Sequence, residues 1–232
     1  MESEDQYQSG EYHSKHPDWH EGDSPWKAKQ ILKIIRKNNL SVKSVVDFGC
    51  GSGRVIAELA KHMSTGVQCF GYDISPQAIK IAKKFESDNC SFQVKDITKE
   101  FAEPVDLLLL VDVFEHIEDY IGFLKKVRTQ AIYFAFHIPL ELSMRALLVD
   151  YQISSRNSDG HLHFFTKATA LRTLEDAGYK VMDCFYTKHW EVTRGFKSFL
   201  VTLPSRLLFH LAPDLVVKIF GGCSLMVLAK SG

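Results

Sequence analysis

"VVDFGCGSGR", Val45 to Arg54, is the stretch that decides how this chain reads. Val45 and Val46 are β-branched and suit a buried strand, while the "VIAELAKHM" that follows carries apolar residues at helical spacing. Between them Gly49, Gly51 and Gly53 stand at alternate positions. Glycine tolerates positive φ and lets the backbone approach a ligand closely. A helix that starts just after such a turn offers unpaired N–H groups, which favour negative charge. The stretch predicts strand, ligand-hugging turn and helix; a tight connection that binds nothing is the plain alternative.

Outward from this turn, strands and helices alternate. The expected strands are Ser44–Phe48, "VQCFGYD" ending at Asp73, "CSFQVKD" ending at Asp96, "VDLLLLVD" ending at Asp112, and "QAIYFAFHI". The unbroken apolar run of the fourth is typical of a central parallel strand covered on both faces. Upstream, a helix is expected from Pro25, capped by Ser24, with Ala28, Ile31, Leu32 and Ile35 on one face. Ser75 and Pro76 open another, and "EDYIGFLKKV" is a third. The pattern loosens between Pro139 and Gly160. Thr166 then opens the helix "KATALRTLEDA", stopped by Gly178, before a strand from Tyr179 and a final strand "CSLMVLAK". Alternating β and α elements predict an α/β fold, a doubly wound and mostly parallel sheet, with ligands at the carboxyl ends of its strands.

That rule singles out acids. Asp73, Asp96 and Asp112 each end a predicted strand on the rim that carries the glycine turn. Asp73 comes 20 residues after Gly53, where a nucleotide-binding fold places an acid for the ribose hydroxyls. Asp96, one strand later, is placed to accept from an adenine amino group. Asp47, inside the first strand, is placed to hold the loop or a cationic ligand. As helix caps these aspartates would need no ligand. The glycine spacing is GxGxG, and Arg54 stands where a dinucleotide fingerprint wants its last glycine. An acid before the turn and a base after it suit a nucleoside with a zwitterionic tail and a positive centre better than a pyrophosphate.

In this order, "VVDFGCGSGR", "GYDIS", "VKDIT" and "LLLVDVFEHIED" resemble the cofactor-binding series of class I S-adenosylmethionine-dependent methyltransferases, over roughly residues 44–125. The later "DGHLHFFTKATALRTLEDAGYKV" resembles a segment of the small-molecule group within that family. The resemblance implies a Rossmann-like, seven-stranded sheet with a reversed last strand. It implies S-adenosyl-L-methionine as cofactor and S-adenosyl-L-homocysteine as product. Carried over, it places Gly49, Gly51 and Gly53 along the methionine and ribose, and Asp47 at the amino end. Asp73 falls on the ribose with Ile74 against adenine, Asp96 on the adenine amino group with Ile97 adding apolar contact, and Asp112 under the methionine tail. Position 112 of such motifs is often small or apolar, so an aspartate there points toward substrate or the sulfonium.

Transfer to a hydroxyl needs a proton removed, and histidine is the natural base near neutral pH. His116 in "FEHIED" and His137 in "FHIP" fall on the reactive rim and, with Asp112, are the catalytic candidates; packing or capping is the bland alternative. His161 and His163 alternate in "GHLHFF" and are candidate substrate contacts. No metal is expected. His13, His16 and His20 have helix-like spacing beside Glu21, yet no cysteine or carboxylate pattern completes a site.

Composition bounds the rest. The chain has 232 residues, 45% hydrophobic and 24% charged, enough for one α/β domain with a large core. We expect an N-terminal arm at 1–25 and a catalytic domain at 26–232 with insertions at about 139–163 and 191–221. A formal net charge of zero disfavours nucleic acid, as does "VDVFEH" where a nucleic-acid methyltransferase would carry an "NPPY"-like motif. Five dispersed cysteines suggest reduced thiols, the acidic N-terminus is no signal peptide, and no apolar run approaches the ~18 residues of a membrane span. A soluble, cytoplasmic protein is expected.

In the arm, Tyr7, Tyr12 and Trp19, with Trp26, suit a lid over the site, Tyr12 and Trp19 touching substrate; a disordered tail is the alternative. The stretch 194–220 sets Arg194, Lys197, Arg206 and Lys218 among apolar residues. It fits a peripheral membrane or lipid contact, a helical layer over the site, or a dimer contact, which leaves monomer and homodimer both open. The reading is methyl transfer to a small-molecule hydroxyl of a sugar, lipid or secondary metabolite. The alternatives are N-methylation, a non-catalytic cofactor-binding subunit, and an NAD-dependent oxidoreductase, against which the glycine pattern and Asp96 argue.

Overall fold

Leu107, Leu108, Leu109 and Leu110 are all fully buried, because the strand they form lies mid-sheet with helices on both faces. The computed structural model describes residues 21–99, 104–192 and 196–232. Its seven strands are β1 (Ser44–Phe48), β2 (Gln68–Asp73), β3 (Cys90–Val94), β4 (Val105–Val111), β5 (Ala131–Pro139), β6 (Tyr179–Lys188) and β7 (Cys223–Ser231), in the order β3-β2-β1-β4-β5-β7-β6. All pairings are parallel except those of β7, which runs antiparallel to β5 and β6. The expected doubly wound sheet with a reversed last strand is therefore present.

The helices are α1 (Ser24–Lys37), α2 (Arg54–Ala60), α3 (Pro76–Ala82), α4 (Tyr120–Val127), α5 (Met144–Leu148), α6 (Tyr151–Ser158), α7 (Lys167–Asp176), α8 (Phe196–Phe209) and α9 (Pro213–Phe220). The pleat sends alternate residues to opposite faces. Val45, Leu107 and Leu109 meet Ile31, Ile34, Ile56 and Leu59 on one side. Val46, Leu108 and Leu110 meet Phe114, Phe134 and Phe136 on the other. Thr166 caps α7 in a reciprocal capping box with Thr169, and Gly178 ends the helix region at φ +90°.

β1 leads to β2 on one side while β4 lies on the other, so the order reverses between β1 and β4. A crevice opens at such a switch point, at the carboxyl ends of the strands. Phe48 pairs with Leu110, which sets the turn after β1 beside the turn after β4.

Two local expectations change. Ser24 lies inside α1 rather than capping it; the cap position is Asp23, whose side chain turns to Lys27. Trp26 is buried, its indole donating to Glu191 Oε2 at 3.0 Å and its edge against the His137 ring, so it belongs to the core and not to a lid. The loose segment after Pro139 forms α5 and α6. Tyr7, Tyr12, His13, His16, Trp19, His20 and Arg194 lie outside the described residues. Among the described residues, no helix is long and apolar enough to cross a membrane.

Candidate active site

The glycine turn works because each of its glycines adopts a left-handed conformation: φ is +73° at Gly49, +53° at Gly51 and +77° at Gly53. A Cβ on Gly49 would stand 2.9 Å from Val113 Cγ2, and one on Gly53 would stand 2.7 Å from the Ala82 side chain. The tightly wound backbone leaves the N–H of Gly51 directed at Asp73, whose Oδ2 accepts it at 2.9 Å while Oδ1 accepts from Ser75 N at 2.8 Å. Burial pushes the Asp73 carboxyl upward, against the backbone donors of Ser75, Gly51 and Ile74 that favour its charge. Asp73 thus ties the turn after β1 to the start of α3 and keeps lone pairs toward the cleft.

That cleft has a volume of about 560 Å³. Asp47, 1% exposed, reaches it from inside β1, and its Oδ1 has no hydrogen-bond partner. Burial and then the Asp73 charge push its carboxyl up to about 8, with Lys27 pulling the other way. Ile74, Asp96 and Thr98 line the same cleft. Asp96 accepts from Thr98 N and Oγ1 at 2.9 and 2.7 Å and pairs with Lys99 at 2.9 Å. These contacts outweigh its partial burial and hold its carboxyl below the usual range. Ile97, expected against adenine, instead lies fully buried in the core and outside the cleft lining. The chain alternates after β3, so Asp96 and Thr98 face the ligand side and Ile97 the interior.

Asp112 follows β4 directly and stands at φ +54°, a strained position for a residue with a side chain. Its Oδ2 meets Lys27 Nζ at 2.9 Å and its Oδ1 accepts from His137 Nδ1 at 2.6 Å. Burial opposes its charge, but His137 and Lys27 outweigh burial and hold the carboxyl well below the ordinary range. Lys27 also reaches Asp23 at 3.1 Å; these two acids overcome its burial and raise its pKa. His137 was expected on the reactive rim. It is 1% exposed and does not line the cleft, with Nδ1 taken by Asp112 and Nε2 within 2.9 Å of Thr187 Oγ1. Its geometry suits positioning Asp112 rather than accepting a proton from a substrate.

The far corner is built by two chain segments locked together. The Glu115 carbonyl accepts from Leu162 N at 2.8 Å and His163 N at 3.1 Å, in the short 3-10 turn Phe114–His116. His116 Nδ1 donates to Gly160 O at 3.2 Å, and His163 Nε2 donates to Ile117 O at 3.0 Å. His161 therefore comes edge-on to His116, with ring centroids 4.7 Å apart. His161 Nδ1 donates to Glu141 Oε2 at 2.7 Å. Glu115 is 1% exposed, and neither of its carboxylate oxygens has a hydrogen-bond partner.

His116, His161 and Glu141 line the cleft; His163 does not, packing on Tyr120 instead. His161 and His163 stand two residues apart in a segment without regular structure, and only His161 reaches the cleft where a substrate contact was expected of both. Burial drops His116 to about 4, while Glu141 and Glu115 overcome burial at His161 and raise it to about 9. Burial lifts Glu115 to about 8, with Asp112 adding to the rise. Lys27, Glu115, Glu141 and His189 were not anticipated at the site. Glu115 sits next to His116 in sequence and was legible there. Lys27 and Glu141 reach the cleft only through the way α1 and the segment after β5 cross the sheet rim.

A family profile described as a methyltransferase domain matches residues 20–183. A ubiquinone biosynthesis O-methyltransferase of Coxiella burnetii is 35% identical over 95 residues, which are 38% of this chain and 39% of that protein. The match thus spans about two fifths of the relative's length. Among solved structures, a Thiobacillus denitrificans S-adenosylmethionine-dependent methyltransferase in complex with S-adenosyl-L-homocysteine superposes with a TM-score of 0.64 at 15% identity, covering 97% of this chain and 98% of that one. A magnesium protoporphyrin IX methyltransferase from Synechocystis, with the same product bound, gives 0.61 at 17% identity over 91% and 84% of the two chains. At such identities the likeness is one of fold.

Proposed function

The chain belongs to the methyltransferase-domain family, and from that premise we propose that it transfers a methyl group from S-adenosylmethionine to a hydroxyl oxygen of a small molecule. The observation that carries the reading is Asp47. A buried carboxylate with an unpartnered oxygen facing a cleft costs stability unless a cationic group meets it, and the cofactor's methionine ammonium is such a group. The other lining residues suit the remainder of the molecule. Asp73 offers carboxylate lone pairs to the ribose hydroxyls, Ile74 an apolar surface to adenine, and Asp96 an acceptor to the adenine amino group. The glycine turn passes close along the methionine and ribose. Asp112, held by Lys27 and His137, sits where it would stabilise positive charge without being displaced.

The cofactor supplies an electrophilic methyl group on a sulfonium. The acceptor's oxygen lone pair forms the new bond to carbon as the carbon–sulfur bond breaks, and the bonding pair stays on sulfur. The hydroxyl proton leaves to solvent through the corner of the cleft that His116 and His161 line. What the chain contributes is placement: well-oriented reactants reach effective molarities of roughly 10⁵–10⁸ M. The partial relative is an O-methyltransferase, which supports oxygen as the acceptor atom.

Just past Glu141 an apolar surface begins. Met144, Leu147 and Leu148 of α5 are exposed, as are Leu207, Leu208 and Leu215 of the α8–α9 layer packed beside it. That surface favours an apolar, lipid-like acceptor, or one presented at a membrane surface. Calorimetric titration with S-adenosylmethionine and S-adenosylhomocysteine tests the reading, followed by an acceptor screen with labelled methyl. Micromolar binding that Asp73→Ala abolishes is the expected result; folded protein that binds neither compound would overturn it.

A further inference from the structure

We propose that Glu115, His116 and His161 bind a divalent first-row metal ion at the acceptor end of the cleft. Each offers one ligand atom, and the three atoms lie within 4.8 Å of one another. Ligands at about 2.0–2.2 Å from a metal stand at most ~4 Å apart, so small side-chain rotations close the set.

Two features mark the corner as built for an ion. The first is Glu115. It is 1% exposed and both its oxygens lack hydrogen-bond partners, although it is aimed at two imidazoles. Buried carboxylates are ordinarily paired, hydrogen-bonded or bound to metal. The second is the state of the imidazoles. A carbonyl or carboxylate oxygen can only accept, so the Nδ1 atoms of His116 and His161 carry the hydrogens that meet Gly160 O and Glu141 Oε2. That leaves Nε2 of each ring as the nitrogen that can bind an ion, giving up its proton where it carries one. Imidazoles oriented by a carbonyl or carboxylate behind the ring are the usual arrangement around metals. Sequence reading looked for ligands in the N-terminal histidines, whereas this set joins a pair after β4 to a residue brought over by the 160–163 segment.

Two imidazoles and one carboxylate suit Mn²⁺, Fe²⁺ or Zn²⁺ better than Mg²⁺ or Ca²⁺. Because His116 and His161 line the cleft, the open positions of such an ion face the space left for the acceptor. There it would act as a Lewis acid, easing loss of the acceptor's proton. This part rests on the proposed oxygen methylation and favours hydroxyl over amine acceptors.

The experiment titrates MnCl₂, and separately ZnCl₂, into the chelator-treated full chain by calorimetry, with S-adenosylhomocysteine binding measured on the same samples. One ion per chain is expected. Glu115→Gln and His161→Ala should weaken it about 100-fold or more, and Glu141→Gln, which of the three ligands touches only His161 and otherwise meets Ser155 and Tyr151, about 10–100-fold. All variants should retain S-adenosylhomocysteine binding, which shows that they fold. Wild-type protein that binds S-adenosylhomocysteine but takes up neither ion overturns the proposal, as does unchanged ion affinity in all three variants. Ion binding without S-adenosylhomocysteine binding would support the metal site while removing the methyltransferase reading.

Discussion

Asp47→Asn should make the ligand-free protein more stable and the cofactor complex weaker. Burial raises the Asp47 carboxyl from 3.8 to about 8. Between those values the folded protein holds a proton that the unfolded chain has released, so stability falls as pH rises, by about 1.4 kcal/mol per pH unit from this group. The contribution is fully present below the unfolded value and gone above the folded one. At pH 7 the accumulated cost is on the order of 4 kcal/mol. Asparagine removes it but leaves a buried amide donor that costs roughly 1–3 kcal/mol if it finds no partner. The net gain at pH 7 is then about 1–3 kcal/mol, or roughly 3–10 °C in Tm for a chain of this size.

The pH dependence is the sharper readout, because the amide's cost does not titrate. Urea unfolding of wild type and variant at pH 5.5 and 7.5 should show the variant's advantage growing by roughly 2.7 kcal/mol over the interval. An advantage that is the same at both pH values would refute the account of Asp47 as a buried, proton-holding carboxyl. In calorimetry the variant should bind S-adenosylmethionine roughly 10–100-fold more weakly, the worth of a hydrogen bond to a charged group.

Lys27→Met should destabilise the protein by roughly 3 kcal/mol, the low end for a broken buried pair because the two side chains keep 13% and 22% exposure. Asp112 contributes through a depressed carboxyl, so its share is present above the unfolded value near 4 and is lost in acid; unfolding at pH 7 and pH 3 should show the variant's deficit shrinking. Gly53→Ala combines a φ of +77° with a Cβ 2.7 Å from the Ala82 side chain, and should cost about 2 kcal/mol or more in urea unfolding. Thr166→Ala removes the capping box of α7 and should cost about 1 kcal/mol with no change in cofactor affinity; a matching loss of affinity would mean that α7 reports on the site.

What sequence could deliver follows from which interactions are local. The β1 turn, the end of β2 at Asp73 and the start of α7 at Thr166 are each set by residues within one turn or strand, and each was legible. The facing of side chains beyond strand ends was not. Ile97 lies one residue from Asp96 and Thr98, which line the cleft, and a period of two puts such neighbours on opposite sides; His163 lies two residues from His161 in an irregular segment, where no period applies. His137 misled for a different reason. A histidine at a strand end reads as exposed on the rim, but β7 and β6 add beyond β5 and cover it, so that Thr187 meets its ring. Lys27 was invisible because α1 reaches the rim by packing across the sheet, which no local pattern records.

The departures from ordinary folding rules also say where the work is done. Asp112 at positive φ, the left-handed glycines, and the unpartnered carboxylates of Asp47 and Glu115 all fall at the carboxyl rim of β1 and β4. Strained residues cost about 1–3 kcal/mol each and unpaired buried carboxylates more, so a fold keeps them only where the rest of the structure holds them in place. Here the leucines of β4 and the aromatic cluster beneath it supply that support. Asp47, Asp73, Asp112 and Glu141 line one cleft, Glu115 lies beside His116 and His161 at its corner, and Lys27 already serves Asp112 and Asp23. Asp47 Oδ1 and both oxygens of Glu115 lack hydrogen-bond partners, so buried carboxyl oxygens go unmet at two separate places. A sulfonium-bearing cofactor with an ammonium group answers the first place and leaves Glu115 unanswered. That is why one ligand does not account for the cleft, and why the cation site and the cofactor site are expected to fill independently.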